Sequence, residues 1–330
     1  MRLWGNYFRV VIVLISFLCL VSVCSNYIII NFTFICMKDD MEGAVDVNGT
    51  LKSIYDYTPT EKKYILWAVA FGTMVGTFPI NVLYVQYGAK LPFFFAGVLS
   101  AVTTGLTPWA AASGSMWIFI ALRFLQGVAY SADFAAIGIV ISKWAPLKET
   151  AIFIATLTSF TSIASIITNG ICDSSLGWKW SFYLHAAACL VVFGVWVLVY
   201  KDDPQLHKSV SGKELGRIQK NKSEAHIGHR DGKGKSKLVV PYRSIFLSPV
   251  VITVWLCAFT ELSTLILIAT YAPIYFRSVL GFDANILSFV FFTDKPAVWT
   301  ESPDVGGVKY SKNSEKDGRR DEERGGDVKI

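Results

Sequence analysis

Charge is scarce along most of this chain, and the scarcity is organised. Asp, Glu, Lys and Arg make up 17% of 330 residues, 53% are hydrophobic, and mean hydropathy is +0.44. The charged residues gather in a few segments and leave long runs nearly free of them. Such runs point away from a soluble domain, because about 20 successive apolar residues is the length of a bilayer-spanning helix. Catalytic signatures are missing as well. There is no Ser-His-Asp arrangement with a supporting motif, no metal-ligand spacing, and no phosphate-cradling glycine loop followed by Lys and Ser or Thr. The reading is therefore of a non-enzyme that carries no metal and no organic cofactor. Nucleic acid is set aside as a partner, because the net charge of +6 belongs to loops and suits an anionic inner leaflet.

The six cysteines do not form an evident disulfide framework. Cys19, Cys24, Cys36, Cys189 and Cys257 fall in apolar runs and Cys172 ends one, so they read as small apolar fillers. Nothing in the spacing demands a Cys36–Cys172 bridge on the outer face.

Seven spans can be drawn, at about Val10–Met37, Tyr64–Val85, Leu91–Ala111, Met116–Ile141, Ala151–Ile171, Ser181–Tyr200 and Ile245–Tyr275. The apolar piece Ile286–Phe292 is too short for an eighth. The first run is kept as a span, since about 28 uninterrupted residues exceed the 7 to 15 of a signal-peptide core. The expected organisation is a six-span unit over residues 1–200 and a basic cytoplasmic loop over 201–244. The seventh span and a fragment of an eighth follow over 245–292, and 293–330 is a disordered polar tail.

With the N-terminus inside, sixteen Lys or Arg face the cytoplasm and six face outward, eleven of the sixteen coming from Lys201–Arg243. The sequon at Asn48 then lies outside as a glycosylation candidate, while those at Asn31 and Asn221 fall in a span and in the cytoplasm. In the basic loop, Ser211 and Glu214 have capping-box spacing, and Leu215 and Ile218 follow on one side. That pattern fits a short helix along the inner surface, but Gly212 and Gly216 leave a solvated linker equally open.

Four ionisable groups lie inside the inner spans or the seventh: Arg123, Asp133, His185 and Glu261. A guanidinium in hydrocarbon costs roughly 2.5–3.5 kcal/mol on insertion scales, so it usually faces a bundle interior or a cavity where a ligand meets it. Snorkelling is the weaker alternative, because Arg123 lies well inside the outer end near Met116. Arg123 and Asp133 are about 15 Å apart in rise and roughly 80° in rotation, so they cannot pair. Glu261 is the expected partner of Arg123. A carboxylate at such depth pairs, binds a cation or takes up a proton, which makes Glu261, Asp133 and His185 the coupling-ion candidates. The plainer alternatives are an interhelix hydrogen bond for the two acids and an interfacial position for His185, close to the outer end of its span. Gly72 and Gly76, four apart, let two helices approach closely, and Pro79, Pro108 and Pro273 bend or end spans.

Several strings together carry a resemblance: Arg123-Phe-Leu-Gln-Gly127, Ser142-Lys-Trp-Ala-Pro146, Gly177-Trp178, Phe182-Tyr183, Pro241 to Pro249, Tyr271-Ala-Pro273 and Gly281-Phe282. In this order and spacing they resemble the sialin, vesicular glutamate transporter and sodium/phosphate cotransporter family of the major facilitator superfamily, over about Val10–Asp283. The resemblance implies an all-α integral membrane protein: the N-terminal six-helix half of a major facilitator fold plus a seventh span. It implies secondary active, proton- or sodium-coupled transport of small organic or inorganic anions by alternating access. Arg123 matches the fourth-span arginine that contributes to the family's anion site. Tyr130 stands where the family has a glutamate seven residues later, so it joins Arg123 as a substrate-binding candidate. Glu261 stands at the seventh-span arginine position, and the first-span arginine is absent near Tyr27. The loop after the second span keeps Gly88 and Lys90 but shows Asn81 and Val85 in place of Gly and Asp.

A major facilitator fold packs two six-span halves, so the chain reads as a partial, truncated transporter. Its expected partners are a small anionic solute, the lipid bilayer and other transporter chains. Plasma membrane and vesicular or lysosomal membrane are both open as locations. Two rivals remain: a seven-helix receptor, which needs its N-terminus outside, and a non-transporting fragment that associates with full-length relatives.

Overall fold

Lipid offers no hydrogen bonds, so a chain of this composition must satisfy its backbone within helices. The computed structural model describes residues 6–40, 45–47, 50–169, 177–222, 244 and 246–278, all within one compact unit, Met1–Phe289. The eighth-span fragment and the polar tail read from the sequence lie outside the described residues, as do Asn48 and Cys172.

The helices are α1 (Phe8–Asp39), α2 (Pro59–Tyr87), α3 (Lys90–Ala112), α4 (Met116–Tyr130), α5 (Ala132–Trp144), α6 (Thr150–Thr158), α7 (Phe160–Asn169), α8 (Trp178–Val199), α9 (Gly212–Gln219) and α10 (Pro249–Ser278). Among the described residues, six crossings are long and apolar enough for a membrane. α4 with α5, and α6 with α7, each make one crossing interrupted at Ser131 or Ser159. In α10 the apolar stretch is Pro249–Thr264, and nearly all of that helix's described side chains are exposed. Among the described residues, the strands are confined to a hairpin between α1 and α2. There β1 (Val45–Val47) pairs antiparallel with β2 (Thr50–Lys52), Val45 opposite Lys52.

Helix ends follow local chemistry. α2 starts five residues before the expected Tyr64, because Thr58 and Glu61 form a capping box and Pro59 occupies the first turn. Thr58 N–H donates to Glu61 Oε2 at 2.7 Å, and Glu61 N–H donates to Thr58 Oγ1 at 3.3 Å. At the other end Gly88, with φ of 78°, lets Asp202 approach the start of α3. Asp202 Oδ1 accepts from the N–H groups of Ala89 and Lys90 at 2.6 and 3.1 Å, so the end of the sixth crossing caps the third. Burial pushes that carboxyl above its ordinary value, and the two amides pull it back.

The tightest crossing is between α2 and α4, at the glycines singled out in the sequence. A Cβ on Gly72 would sit 2.0 Å from the Phe124 carbonyl oxygen, and one on Gly127 would sit 2.1 Å from that of Val69. The helices meet backbone to backbone there, as small residues permit in lipid. One apolar core occupies the end of the bundle that α9 packs on and includes Phe8, Phe93, Trp144, Phe193 and Trp196. A second core lies at the opposite end, around Phe34, Tyr55, Phe119 and Trp178.

One sequence reading changes here, since Cys36 is disulfide-bonded rather than an apolar filler. At Ser211, where helix and linker were both open, the structure has the helix: Glu214 N–H donates to Ser211 Oγ at 3.1 Å, and Ile218 is buried in the first core. α9 is also tied to the bundle by charge. Arg9 Nε and Nη2 donate to Glu149 at 2.8 and 3.1 Å, and Arg9 N–H donates to Glu214 Oε1 at 2.8 Å. Nearby, His207 packs 4.3 Å from the Phe8 ring. Its Nδ1 accepts from Ser209 N–H at 3.1 Å, which puts the proton on Nε2, 3.0 Å from the Val199 carbonyl.

Two outcomes follow. Gly72→Ala is expected to cost more than about 2 kcal/mol of stability in detergent, because backbone cannot step aside. Gly97→Ala, which would meet the Phe193 ring at 2.4 Å, is expected to cost less, since a side chain can turn. Burial holds the His207 imidazole below its ordinary pKa of 6.5, with Lys201 and Lys90 adding to the effect. The unfolded chain therefore takes up this proton first. The stability His207 contributes is complete above pH 6.5 and declines as pH falls below it, so His207→Gln should flatten the melting-temperature profile below pH 6.5.

Candidate functional site

A polar cluster sits among α1, α3 and α4, walled by apolar side chains. Arg123 is fully buried at its centre, 0% exposed, and turned inward from lipid. Its Nη1 donates to the Tyr27 carbonyl at 3.1 Å and to Gln126 Oε1. Gln126 Nε2 donates to Thr104 Oγ1 at 2.8 Å, and Asn26 Nδ2 donates to Ser100 Oγ at 3.0 Å. The linked Arg123 and Gln126 side chains of α4 are thus held by two neighbouring helices, α1 through Tyr27 and α3 through Thr104. The rest of the guanidinium is not held: Nε and Nη2 are buried without a partner, as are Asn26 Oδ1 and Ser25 Oγ. Nε and Nη2 form one edge of the guanidinium, with the spacing of the two oxygens of a carboxylate or phosphate.

Tyr130 stacks on Tyr27, ring centroids 4.9 Å apart, beside the carbonyl that anchors Arg123. The chain then breaks at Ser131, whose hydroxyl donates to the Val128 carbonyl at 2.7 Å, while Tyr84 donates from α2 to the Ala132 carbonyl at 3.0 Å. One turn past Tyr130, Asp133 is fully buried and neither of its oxygens has a partner. Arg123 and Asp133 do not pair, as their spacing requires.

The structure corrects two expectations. Glu261 makes no ion pair with Arg123: its side chain is exposed on α10, a helix whose neighbouring side chains are exposed too. His185 is not interfacial but buried, at 6% exposure, with Nδ1 2.8 Å from the Ser181 carbonyl and Nε2 unpartnered. Its place in the sequence fixed its depth but not its face, and its face of α8 turns into the protein. Gln126, Asn26, Ser100 and Thr104 went unremarked in the sequence. Gln126 carried a signal, since it lies three residues after Arg123 and so on the same side of the helix.

Six apolar crossings around an inward-facing polar cluster define an integral, multi-pass membrane protein. The chain belongs to the Major Facilitator Superfamily, whose sequence profile matches residues 12–293. The receptor alternative falls with that membership. Against sodium-dependent phosphate transport protein 1 of Oryctolagus cuniculus the chain is 25% identical over 288 residues, 84% of this chain and 60% of that protein. Against vesicular glutamate transporter 1 of Xenopus tropicalis it is 26% identical over 220 residues, 65% of this chain and 37% of that protein. A probable sulfoacetate transporter of Cupriavidus necator is 25% identical over 217 residues, 64% of this chain and 46% of that protein. The chain spans no more than 60% of the length of these relatives.

A buried cation with three of its five N–H donors unmet costs folding energy. Arg123→Met should therefore raise the thermal stability of the purified chain, by about 1–4 kcal/mol, since a well-packed apolar side chain replaces an uncompensated charge. A structural role would give the opposite result, a lower unfolding midpoint.

Proposed function

We propose that this chain serves secondary active transport of small organic or inorganic anions, coupled to protons or sodium and working by alternating access. The observation that carries the reading is the empty Nε and Nη2 edge of Arg123, fully buried and facing no carboxylate among the described residues. An anion with two oxygens on one centre completes that edge, and the stacked Tyr27 and Tyr130 rings lie beside the carbonyl that holds the arginine. The named substrates of the relatives, phosphate, glutamate and sulfoacetate, all carry such a group.

Asp133 is the first candidate for the coupling cation, with His185 Nε2 the second, because each offers a buried and unpartnered acceptor. Glu261, on an exposed helix, ranks behind both. Association with another transporter chain is a subsidiary reading, supported by the exposure of α10 nearly all round.

Anion-dependent thermal stabilisation of the purified chain, together with gradient-driven uptake into liposomes, tests the proposal. Arg123→Ala should abolish stabilisation by phosphate, glutamate and sulfoacetate alike, and lower any uptake at least tenfold, about 1.4 kcal/mol. Asp133→Asn should spare anion binding but remove the dependence of uptake on the proton or sodium gradient. Equal anion binding in wild type and Arg123→Ala would remove the arginine from the mechanism.

A further inference from the structure

Outside the anion site, one pocket combines uncompensated charge with a position at the membrane edge. It has a volume of about 410 Å³ and lies between the α5–α6 turn and α9, lined by Leu147, Lys148, Glu149, Arg217, Lys220 and Asn221. Its level is fixed by the helices that frame it. α5 ends at Trp144 and α6 begins at Thr150, so the turn between them stands where two crossings leave the hydrocarbon.

Three cations and one carboxylate line the space, and they are not equivalent. Both Glu149 oxygens accept from Arg9, which neutralises that carboxylate from outside the pocket. Lys148, Arg217 and Lys220 are exposed and make no ion pair among the described residues. The net field in the pocket is therefore positive. Leu147, 54% exposed on the same rim, adds an apolar surface beside the charges.

The walls are held in place from both ends of α9. Glu214 is bound to Arg9 at the start of the helix. Beyond its end, Asn221 adopts a left-handed φ of 63°, and Lys222 Nζ donates to the Ser142 carbonyl at 2.8 Å. Such anchoring keeps Arg217 and Lys220 facing Lys148 across a gap that water alone would otherwise fill. A free solute has no reason to need an exposed leucine at the lip. A phospholipid does, because its phosphate and its acyl chains arrive together at this depth.

We infer that this pocket binds the phosphate-bearing headgroup of an anionic phospholipid in the inner leaflet. Lys148, Arg217 and Lys220 contact the phosphate, and Leu147 lies against the glycerol end of the acyl chains. The inference is independent of what the chain transports.

The test uses the full chain in nanodiscs of phosphatidylcholine containing phosphatidylserine or a phosphorylated phosphatidylinositol, with retained lipid read by native mass spectrometry. Anionic lipid should be retained over phosphatidylcholine. The triple variant K148Q/R217Q/K220Q should lose that preference by roughly a hundredfold, as three surface cations would contribute. Lys63→Gln on the outer side should leave it unchanged. All three pocket substitutions are at exposed side chains, and an unaltered melting temperature checks that the fold survives. Inorganic phosphate is the competing arm. If it displaces the lipid at comparable concentration, the pocket is a soluble-anion site and the lipid assignment is wrong. Undiminished retention in the triple variant overturns the pocket as the site.

Discussion

The backbone contact between α2 and α4 sets the rotation of the fourth crossing, and the polar interior depends on that rotation. Gly72 and Gly127 leave no room for any Cβ, so α4 can meet α2 along one line only. With that line fixed, Arg123 and Gln126 turn away from lipid toward α1 and α3, where the Tyr27 carbonyl and Thr104 hydroxyl receive them. A rotation by one residue, about 100°, would carry the guanidinium toward hydrocarbon. Packing of the smallest residues thus positions the most polar one.

Polar groups within the bundle fall into two kinds. Most hydroxyls are spent locally, as Thr103, Thr107 and Ser16 are on carbonyls one turn back in their own helices. A smaller set crosses between helices, and members of that set and its neighbours remain partly unsatisfied: Arg123, Asn26, Asp133 and His185. Each unpartnered group costs energy in a lipid-embedded interior, which sets these four apart from the hydroxyls spent locally. Arg9, by contrast, is engaged, joining the first crossing, the α5–α6 turn and α9 through Glu149 and Glu214.

Much of this was legible in the sequence, and the failures have physical causes. Crossings one to six were readable because apolar length is a one-dimensional property. Their true ends were less so, since the Thr58–Glu61 box extends α2 with a polar turn that an apolar count omits. The breaks at Ser131 and Ser159 left no trace, as a single serine in a helix usually bonds back to the preceding turn. Burial of Arg123 followed from its depth. Its main anchor did not, because a backbone carbonyl has no sequence signature. The pairing with Glu261 failed because opposite charge in two spans says nothing about which faces meet. Cys36 in an apolar run likewise concealed a bonded thiol.

The interruption at Ser131 is a single residue that keeps right-handed helical backbone, φ −60° and ψ −18°, and its N–H still donates to the Gly127 carbonyl at 3.0 Å. Arg123 and Asp133 therefore ride on one nearly continuous rod, which Tyr84 braces from the side. A shift of that rod along its axis carries both charged stations together, so neither changes its depth without the other.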